Sequence, residues 1–139
     1  MAKRTYTSLP YIEKPVAIGN FDSNRKPITE IIIHTTVSTL PSALAHFNDP
    51  NAKVSVHYIV DLNGTLYAML EEYNVAFQAG DYSVNQKSIG IEHIDNGDFN
   101  GLRPDTLYVT SAKLVADICK FYNIPCDRTH ILKHSEVIA

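Results

Sequence analysis

The run Ile31-Ile32-Ile33 constrains the fold most, because its apolar residues do not alternate with polar ones. A strand with one face in water shows alternation, whereas a strand covered on both faces reads as an unbroken run of branched apolar residues. We therefore predict a strand over residues 29–34 that is buried on both faces. Such a strand belongs in a sheet with further layers packed against it.

The remaining elements follow from the spacing of apolar residues and from the turn residues between them. Asn63-Gly64 readily adopts positive φ and predicts a tight hairpin turn between two alternating runs. Asn123-Ile124-Pro125 ends a helical pattern, and residues 80–86 are predicted as a polar loop. The predicted strands and helices intermix, so we predict an α/β fold, a mixed central β-sheet flanked by helices. Besides the first strand, they span residues 38–47 (helix), 54–60, 65–70 and 87–94 (strands) and 110–122 (helix).

The length of 139 residues predicts one domain. Residues 1–28 are interrupted by prolines and predict an irregular lead-in, and residues 29–139 form the domain. The net charge of −3 and scattered basic residues argue against nucleic acid as a partner. No run has the length of a signal peptide or a membrane span, so we expect no membrane partner and a cytoplasmic location in the producing cell.

Two histidines at strand ends suggest a metal site. His34 follows the isoleucine run, and His134 lies in Leu132-Lys133-His134-Ser135-Glu136. Catalytic zinc takes three protein ligands and keeps one position for water, whose pKa it lowers to about 7. His34 and His134 are our candidates for two of these ligands. A neutral core histidine bonded to the backbone is the alternative for His34.

Glu92 lies in an apolar strand, where a carboxylate is costly unless it is paired or functional. The run Ile89-Gly90-Ile91-Glu92-His93-Ile94 alternates, so Glu92 and His93 face opposite sides of the sheet. An ion pair with Lys or Arg at the sheet edge is the alternative to a catalytic role. For His57, in Val56-His57-Tyr58, catalysis and a buried packing or hydrogen-bonding role are equally open.

Taken in order, six blocks of the sequence resemble the zinc-dependent N-acetylmuramoyl-L-alanine amidases. That family includes the phage lysozyme-type amidases and the peptidoglycan recognition proteins. The resemblance extends from about residue 29 to residue 139 and favours the catalytic domain of a phage or prophage endolysin. The six blocks are Ile31-Ile32-Ile33-His34-Thr35-Thr36, Val54-Ser55-Val56-His57-Tyr58-Ile59-Val60-Asp61, Asn63-Gly64-Thr65-Leu66-Tyr67, Val75-Ala76-Phe77-Gln78-Ala79-Gly80, Ser88-Ile89-Gly90-Ile91-Glu92 and Ile131-Leu132-Lys133-His134-Ser135-Glu136-Val137.

The resemblance implies hydrolysis of the amide between N-acetylmuramic acid and L-alanine in peptidoglycan. It implies that His34 and His134 hold Zn²⁺, and that the third ligand follows Ala139. Glu92 matches the acidic residue that serves many members as general base. Where the family commonly has Trp-His-Ala-Gly, this chain has Phe77-Gln78-Ala79-Gly80. Substrate binding is assigned to Thr35, His57 and Gln78.

Because a third ligand is expected beyond Ala139, we expect the domain to be truncated at its C-terminus and impaired as an enzyme. A shortened domain would expose apolar surface and could self-associate through it. We expect a lysin that reaches the cell wall after release from the producing cell. The alternative function is a non-catalytic peptidoglycan-binding module of the same fold.

Overall fold

The computed structural model describes residues 3–98 and 103–137, in which strands and helices alternate along much of the chain. The strands are β1 (Ile12–Glu13), β2 (Phe21–Asp22), β3 (Glu30–Thr35), β4 (Tyr58–Val60), β5 (Leu66–Ala68), β6 (Val75–Ala76), β7 (Ser88–His93) and β8 (Ile131–Lys133). The helices are α1 (Leu40–Phe47), α2 (Tyr82–Gln86), α3 (Asp105–Tyr122) and α4 (His134–Val137).

A six-stranded mixed sheet, in the order β1-β5-β4-β7-β3-β8, forms the centre of the described structure. Its strand pairs are parallel except for the hairpin of β4 and β5, and β2 pairs with β6 in a separate antiparallel ribbon. The predicted α/β fold, a mixed central sheet flanked by helices, is confirmed. None of the described helices is both long and apolar enough to cross a membrane.

Each face of the sheet carries its own apolar core. On one face, α3 contributes Leu107, Leu114 and Ile118, which pack with buried strand residues such as Ile89 and Ile91. On the other face, α1 contributes Ala43 and Phe47 to a second cluster that includes Ile59 and Ile94. Ile31 and Ile32 of β3 are both 0% exposed. Successive strand residues point to opposite faces of the sheet, so β3 is covered on both faces, as the unbroken apolar run predicted.

The structure corrects several predicted boundaries. The strands predicted over residues 54–60 and 65–70 are shorter, since β4 spans Tyr58–Val60 and β5 spans Leu66–Ala68. Residues 80–86 are not wholly a loop, because α2 forms one short turn capped by Asp81, whose side chain accepts hydrogen bonds from the Ser83 and Val84 amides. Helix α3 begins at Asp105 instead of residue 110. The lead-in contains β1 and β2, and β1 joins the main sheet. These strands have two residues each, too few to show a period.

A buried ionic cluster ties the lead-in to the domain. Glu72 is 0% exposed, and its Oε1 accepts hydrogen bonds from Arg4 Nε at 2.7 Å and from the Tyr122 hydroxyl at 2.6 Å. The Tyr58 hydroxyl donates to the other oxygen, Oε2. Arg4 also pairs with Asp117 on α3 at 2.7 Å. The segment around Arg4 is therefore part of the folded domain.

Candidate metal and catalytic site

His34, Glu92 and His134 lie side by side at the ends of three neighbouring parallel strands. In the register of β3 and β7, His34 is opposite Glu92, and in that of β3 and β8, Ile33 is opposite Lys133. His134 follows Lys133, and its ring centroid lies 4.5 Å from that of His34. Because the carboxyl ends of parallel strands meet at one edge of a sheet, residues far apart in sequence share this site.

These three residues line a groove of about 430 Å³ between the sheet and α1. Thr35 and Gln78, two of the predicted substrate-binding residues, also line it. The lining side chains from α1 and from the segments opposite it are mostly apolar or carry hydroxyl groups. Its other lining residues are Thr36, Ser38, Ser42, Ala43, His46, Phe47, Val54, Ser55, Val56 and Phe77.

Gln78 holds the imidazole of His34 in one orientation. His34 Nε2 donates to Gln78 Oε1 at 2.5 Å, and Gln78 Nε2 donates to Ser88 Oγ at 2.8 Å. A Cβ atom at Gly90 would lie 2.8 Å from Gln78 Cδ, so the glycine leaves room for this amide. Since Nε2 carries the proton, His34 keeps a lone pair on Nδ1.

His34 is neutral at physiological pH. Burial lowers the pKa of His34 to about 4, assisted by the nearby His134 and His93 and opposed by the hydrogen bond to Gln78. A neutral imidazole is the form that binds metal ions. The alternative for His34, a core histidine bonded to backbone, does not describe this hydrogen bond, which goes to a side chain in a groove.

His134 brings an unused nitrogen to the same place. Its Nε2 is buried and has no hydrogen-bond partner. Such an atom is costly unless a ligand satisfies it. Among residues 3–98 and 103–137, no three His, Cys, Asp or Glu side chains are grouped so that they could hold a metal ion. In this part of the chain the groove therefore brings together two imidazoles, His34 and His134, without a third such group beside them.

Glu92 is the acidic group of the groove. Its Oε2 is buried without a hydrogen-bond partner. Burial raises the pKa of Glu92 to about 8, with a smaller contribution from the negative charge of Asp95. A carboxyl with such a pKa, beside the imidazoles of His34 and His134, is able to exchange protons near neutral pH.

His57, which was assigned to substrate binding, lies outside the groove. His57 is 0% exposed and does not line the groove. Its Nδ1 accepts from the Gly90 amide at 3.0 Å, and its Nε2 donates to the Asn74 carbonyl at 2.9 Å. Burial, with the charge of Arg25, lowers the pKa of His57 to about 3. His57 is thus a buried hydrogen-bonding residue, which was the alternative prediction.

Sequence reasoning missed two contributors to the site. His46 of α1 lines the groove, yet its sequence neighbours gave it no partner. Asp95 follows β7 and was interpreted only as a strand end; it is 4% exposed and accepts several hydrogen bonds from the loop after β3. A carboxylate directly after an apolar strand was the available signal for Asp95.

A sequence model of the family described as N-acetylmuramoyl-L-alanine amidase matches residues 24–139. N-acetylmuramoyl-L-alanine amidase A from Achromobacter lyticus is 28% identical over 116 residues, which are 83% of this chain. The alignment spans 64% of that relative's length.

Solved structures resemble the fold closely. PlyL has a TM-score of 0.75 at 19% identity, covering 92% of this chain and 82% of its own. The amidase LysC from Clostridium intestinale has a TM-score of 0.71 at 18% identity, covering 94% and 85%. The amidase AmiD from E. coli, in complex with an anhydro-N-acetylmuramic acid peptide, has a TM-score of 0.67 at 24% identity, covering 80% and 49%. At these identities the likeness establishes the fold.

Proposed function

Because the chain belongs to the N-acetylmuramoyl-L-alanine amidase family, we propose that it hydrolyses the amide between N-acetylmuramic acid and L-alanine in peptidoglycan. One observation carries the proposal: His134 Nε2 and Glu92 Oε2, two buried atoms without partners, line one groove together with the neutral His34. Unpaired buried polar atoms cost free energy and therefore suggest a ligand. A hydrolytic site needs such a combination of metal ligands and a proton acceptor.

Zn²⁺ fits the donor set that the groove provides. Imidazole nitrogens are preferred zinc ligands, and His34 Nδ1 and His134 Nε2 are the atoms that would hold the ion. His34 would act with its second nitrogen bonded to Gln78, as metal-binding histidines usually do. When bound, zinc would act as a Lewis acid that polarises the scissile carbonyl. The third protein ligand stays a prediction from the family resemblance.

Glu92 is the residue that moves the proton. We assign it the role of general base, which accepts a proton from the attacking water at a carboxylate oxygen and passes it to the departing amine nitrogen of L-alanine. The carboxylate must be ionised for the first step. Its pKa is about 8 in the metal-free protein, and a bound cation nearby would lower that pKa and favour the ionised carboxylate at neutral pH.

Gln78 acts on His34 instead of on the substrate. Its carbonyl oxygen is engaged by His34 and its amide nitrogen by Ser88. We assign it the role of positioning residue, which fixes the tautomer and the ring orientation of His34. This assignment replaces a direct substrate contact, and Thr35 remains the candidate for one because it lines the groove.

The experiment that tests the proposal measures bound zinc and the release of stem peptides from purified peptidoglycan. His134→Ala should lose zinc and hydrolysis together, whereas Glu92→Gln should keep zinc and lose most turnover. His130→Ala is the matched control, because it removes a histidine that does not line the groove. Unchanged hydrolysis by Glu92→Gln would remove Glu92 from the mechanism.

The same experiment separates the enzyme from a binding module. Binding of muropeptides without hydrolysis, unaffected by a chelator, would favour the module and refute the proposed activity. If the chain hydrolyses peptidoglycan, we further propose that it serves as the catalytic domain of a phage or prophage endolysin, which meets the wall after release from the producing cell.

A further inference from the structure

A buried carboxylate, Asp95, accepts hydrogen bonds from the loop that follows β3, and Arg103 pairs with Asp95 at 3.7 Å and donates to Thr35 Oγ1 at 3.0 Å. Asp95 Oδ2 accepts hydrogen bonds from Thr35 Oγ1 at 2.5 Å and from the Val37 amide at 2.8 Å. Asp95 Oδ1 accepts from the Ser38 amide at 3.0 Å and from the Gly97 amide at 2.8 Å. The Thr36 hydroxyl also donates to Oδ1, at 3.3 Å. Five donors therefore converge on two oxygens, and four of them belong to the loop over residues 35–38.

This loop contains a strained residue. Val37 has φ 54°, in the left-handed region that a β-branched side chain rarely adopts. Its side chain gains little from burial, because Val37 is 54% exposed. Such a conformation persists only when surrounding interactions hold it. The bond from the Val37 amide to Asp95, with the bond from the next amide, supplies that restraint.

The strain shapes the groove. Thr35, Thr36 and Ser38 line it, and Val37 is the turn between them. The ladder of β3 and β7 fixes the strand itself up to Thr35, and the Thr36 amide donates to the His93 carbonyl at 3.0 Å. The bonds to Asp95 are therefore not needed to hold β3 in the sheet; they act on the loop beyond its end.

We propose that Asp95 is a positioning residue for substrate binding, which holds the loop 35–38 in the shape that lines the groove. The inference rests on the proposed function only for the identity of the substrate. Ionisation of Asp95 suits this role, because each oxygen must accept more than one hydrogen bond. Burial alone would raise the pKa of Asp95, but the hydrogen bonds from Thr35, Gly97, Val37 and Ser38 lower it.

Asp95→Asn is the decisive variant, because asparagine keeps the shape but replaces one acceptor oxygen with an NH₂ donor. At least one pair of loop donors would then face another donor. Asp98→Asn is the matched control: it removes the same charge from an exposed position three residues along the chain. The first readout is amide hydrogen exchange at Val37 and Ser38 in the free protein, which needs neither substrate nor metal.

We expect Asp95→Asn to speed exchange at these two amides by about tenfold or more, and Asp98→Asn to leave it unchanged. The second readout is muropeptide affinity, measured as KM if the protein is active and as Kd otherwise. It should weaken about tenfold in Asp95→Asn, with kcat much less affected. Unchanged exchange and affinity would overturn the proposal.

Val37→Asn supplies a test that survives poor folding of Asp95→Asn. Asparagine tolerates positive φ better than valine, so this variant should raise the melting temperature. It should also shrink the effect of Asp95→Asn on affinity in the double variant, because a relaxed loop needs less restraint. Fully additive effects would contradict the positioning role. Faster exchange in Asp95→Asn combined with an inactive, non-binding wild type would instead refute the proposed function alone.

Discussion

Replacing the buried Glu92 by glutamine should make the zinc-free protein more stable at neutral and alkaline pH. In the folded state burial raises the pKa of Glu92 from 4.5 to about 8. Below pH 4.5 both folded and unfolded chains are protonated, and the group has no effect. Between pH 4.5 and 8 the unfolded chain releases a proton that the folded chain keeps. The free energy of unfolding therefore falls as pH rises through this window.

The magnitude follows from the two pKa values. A tenfold change in proton affinity corresponds to about 1.4 kcal/mol, so the destabilisation reaches about 3 kcal/mol at pH 7 and levels off near 5 kcal/mol above pH 8. Glutamine has a similar volume and no charge, so Glu92→Gln loses this pH dependence. The unpaired amide adds a pH-independent cost of about 1 kcal/mol. The pH slope is thus the quantity that isolates the ionisation.

The assay is urea unfolding followed by circular dichroism from pH 4 to 9, with a chelator present throughout. Glu136→Gln is a control of opposite sign. Hydrogen bonds from the Lys133 amide and from Arg128 lower the pKa of the exposed Glu136, so its contribution is lost as pH falls. Glu136→Gln should therefore be less stable than the wild type at neutral pH. Parallel curves for wild type and Glu92→Gln between pH 5 and 8 would refute the reasoning.

Three further results are expected. Gly90→Ala should fold with a modest loss of stability but weaken zinc binding, measured by chelator competition, because its Cβ would lie 2.8 Å from Gln78 Cδ and push the amide from its position. Glu72→Ala should lower the free energy of unfolding by about 3 kcal/mol in urea titrations, since Arg4 keeps only its bond to Asp117 while the Tyr58 and Tyr122 hydroxyls lose their buried acceptor. Burial and neighbouring charges lower the pKa values of three histidines to about 3 to 4, so unfolding takes up protons below pH 6.5. The free energy of unfolding, measured by urea titration, should fall from there toward pH 4 by at most about 4 kcal/mol per pH unit. These histidines are His34, His57 and His93.

Local sequence patterns predicted the strands β3 and β7, which carry His34 and Glu92. The unbroken run before His34 predicted a strand covered on both faces. The alternation around Glu92 predicted that Glu92 and His93 face opposite sides of the sheet, and in the structure Glu92 lines the groove beside α1 while His93 bonds Ser111 of α3. Asn63-Gly64 predicted the hairpin of β4 and β5. These features depend on side-chain period and turn chemistry, which a sequence displays directly.

The surroundings of individual side chains could not be predicted, because they depend on residues that are distant along the chain. His57 and His34 both follow apolar residues, yet one is enclosed by Gly90 and Asn74 and the other borders a groove. Asp95 receives its hydrogen bonds from a loop about sixty residues earlier, which no local pattern indicates. The short helix α2 was missed because a single turn shows no amphipathic period.

The position of β8 has a consequence for the order in which the site assembles. Among the described residues, β8 is an edge strand that pairs with β3 alone, through three residues, whereas β3 and β7 share six. β3 lies about 100 residues earlier in the chain, so the pairing of β8 with β3 closes a long loop. The entropy lost in closing this loop opposes the pairing until the strand contacts form. We expect the central strands to fold first and β8 to dock late and open most readily, separating the two imidazoles while the core stays intact. An ion that binds both rings would then lock the last strand in place, so that metal supply would control the final step of folding.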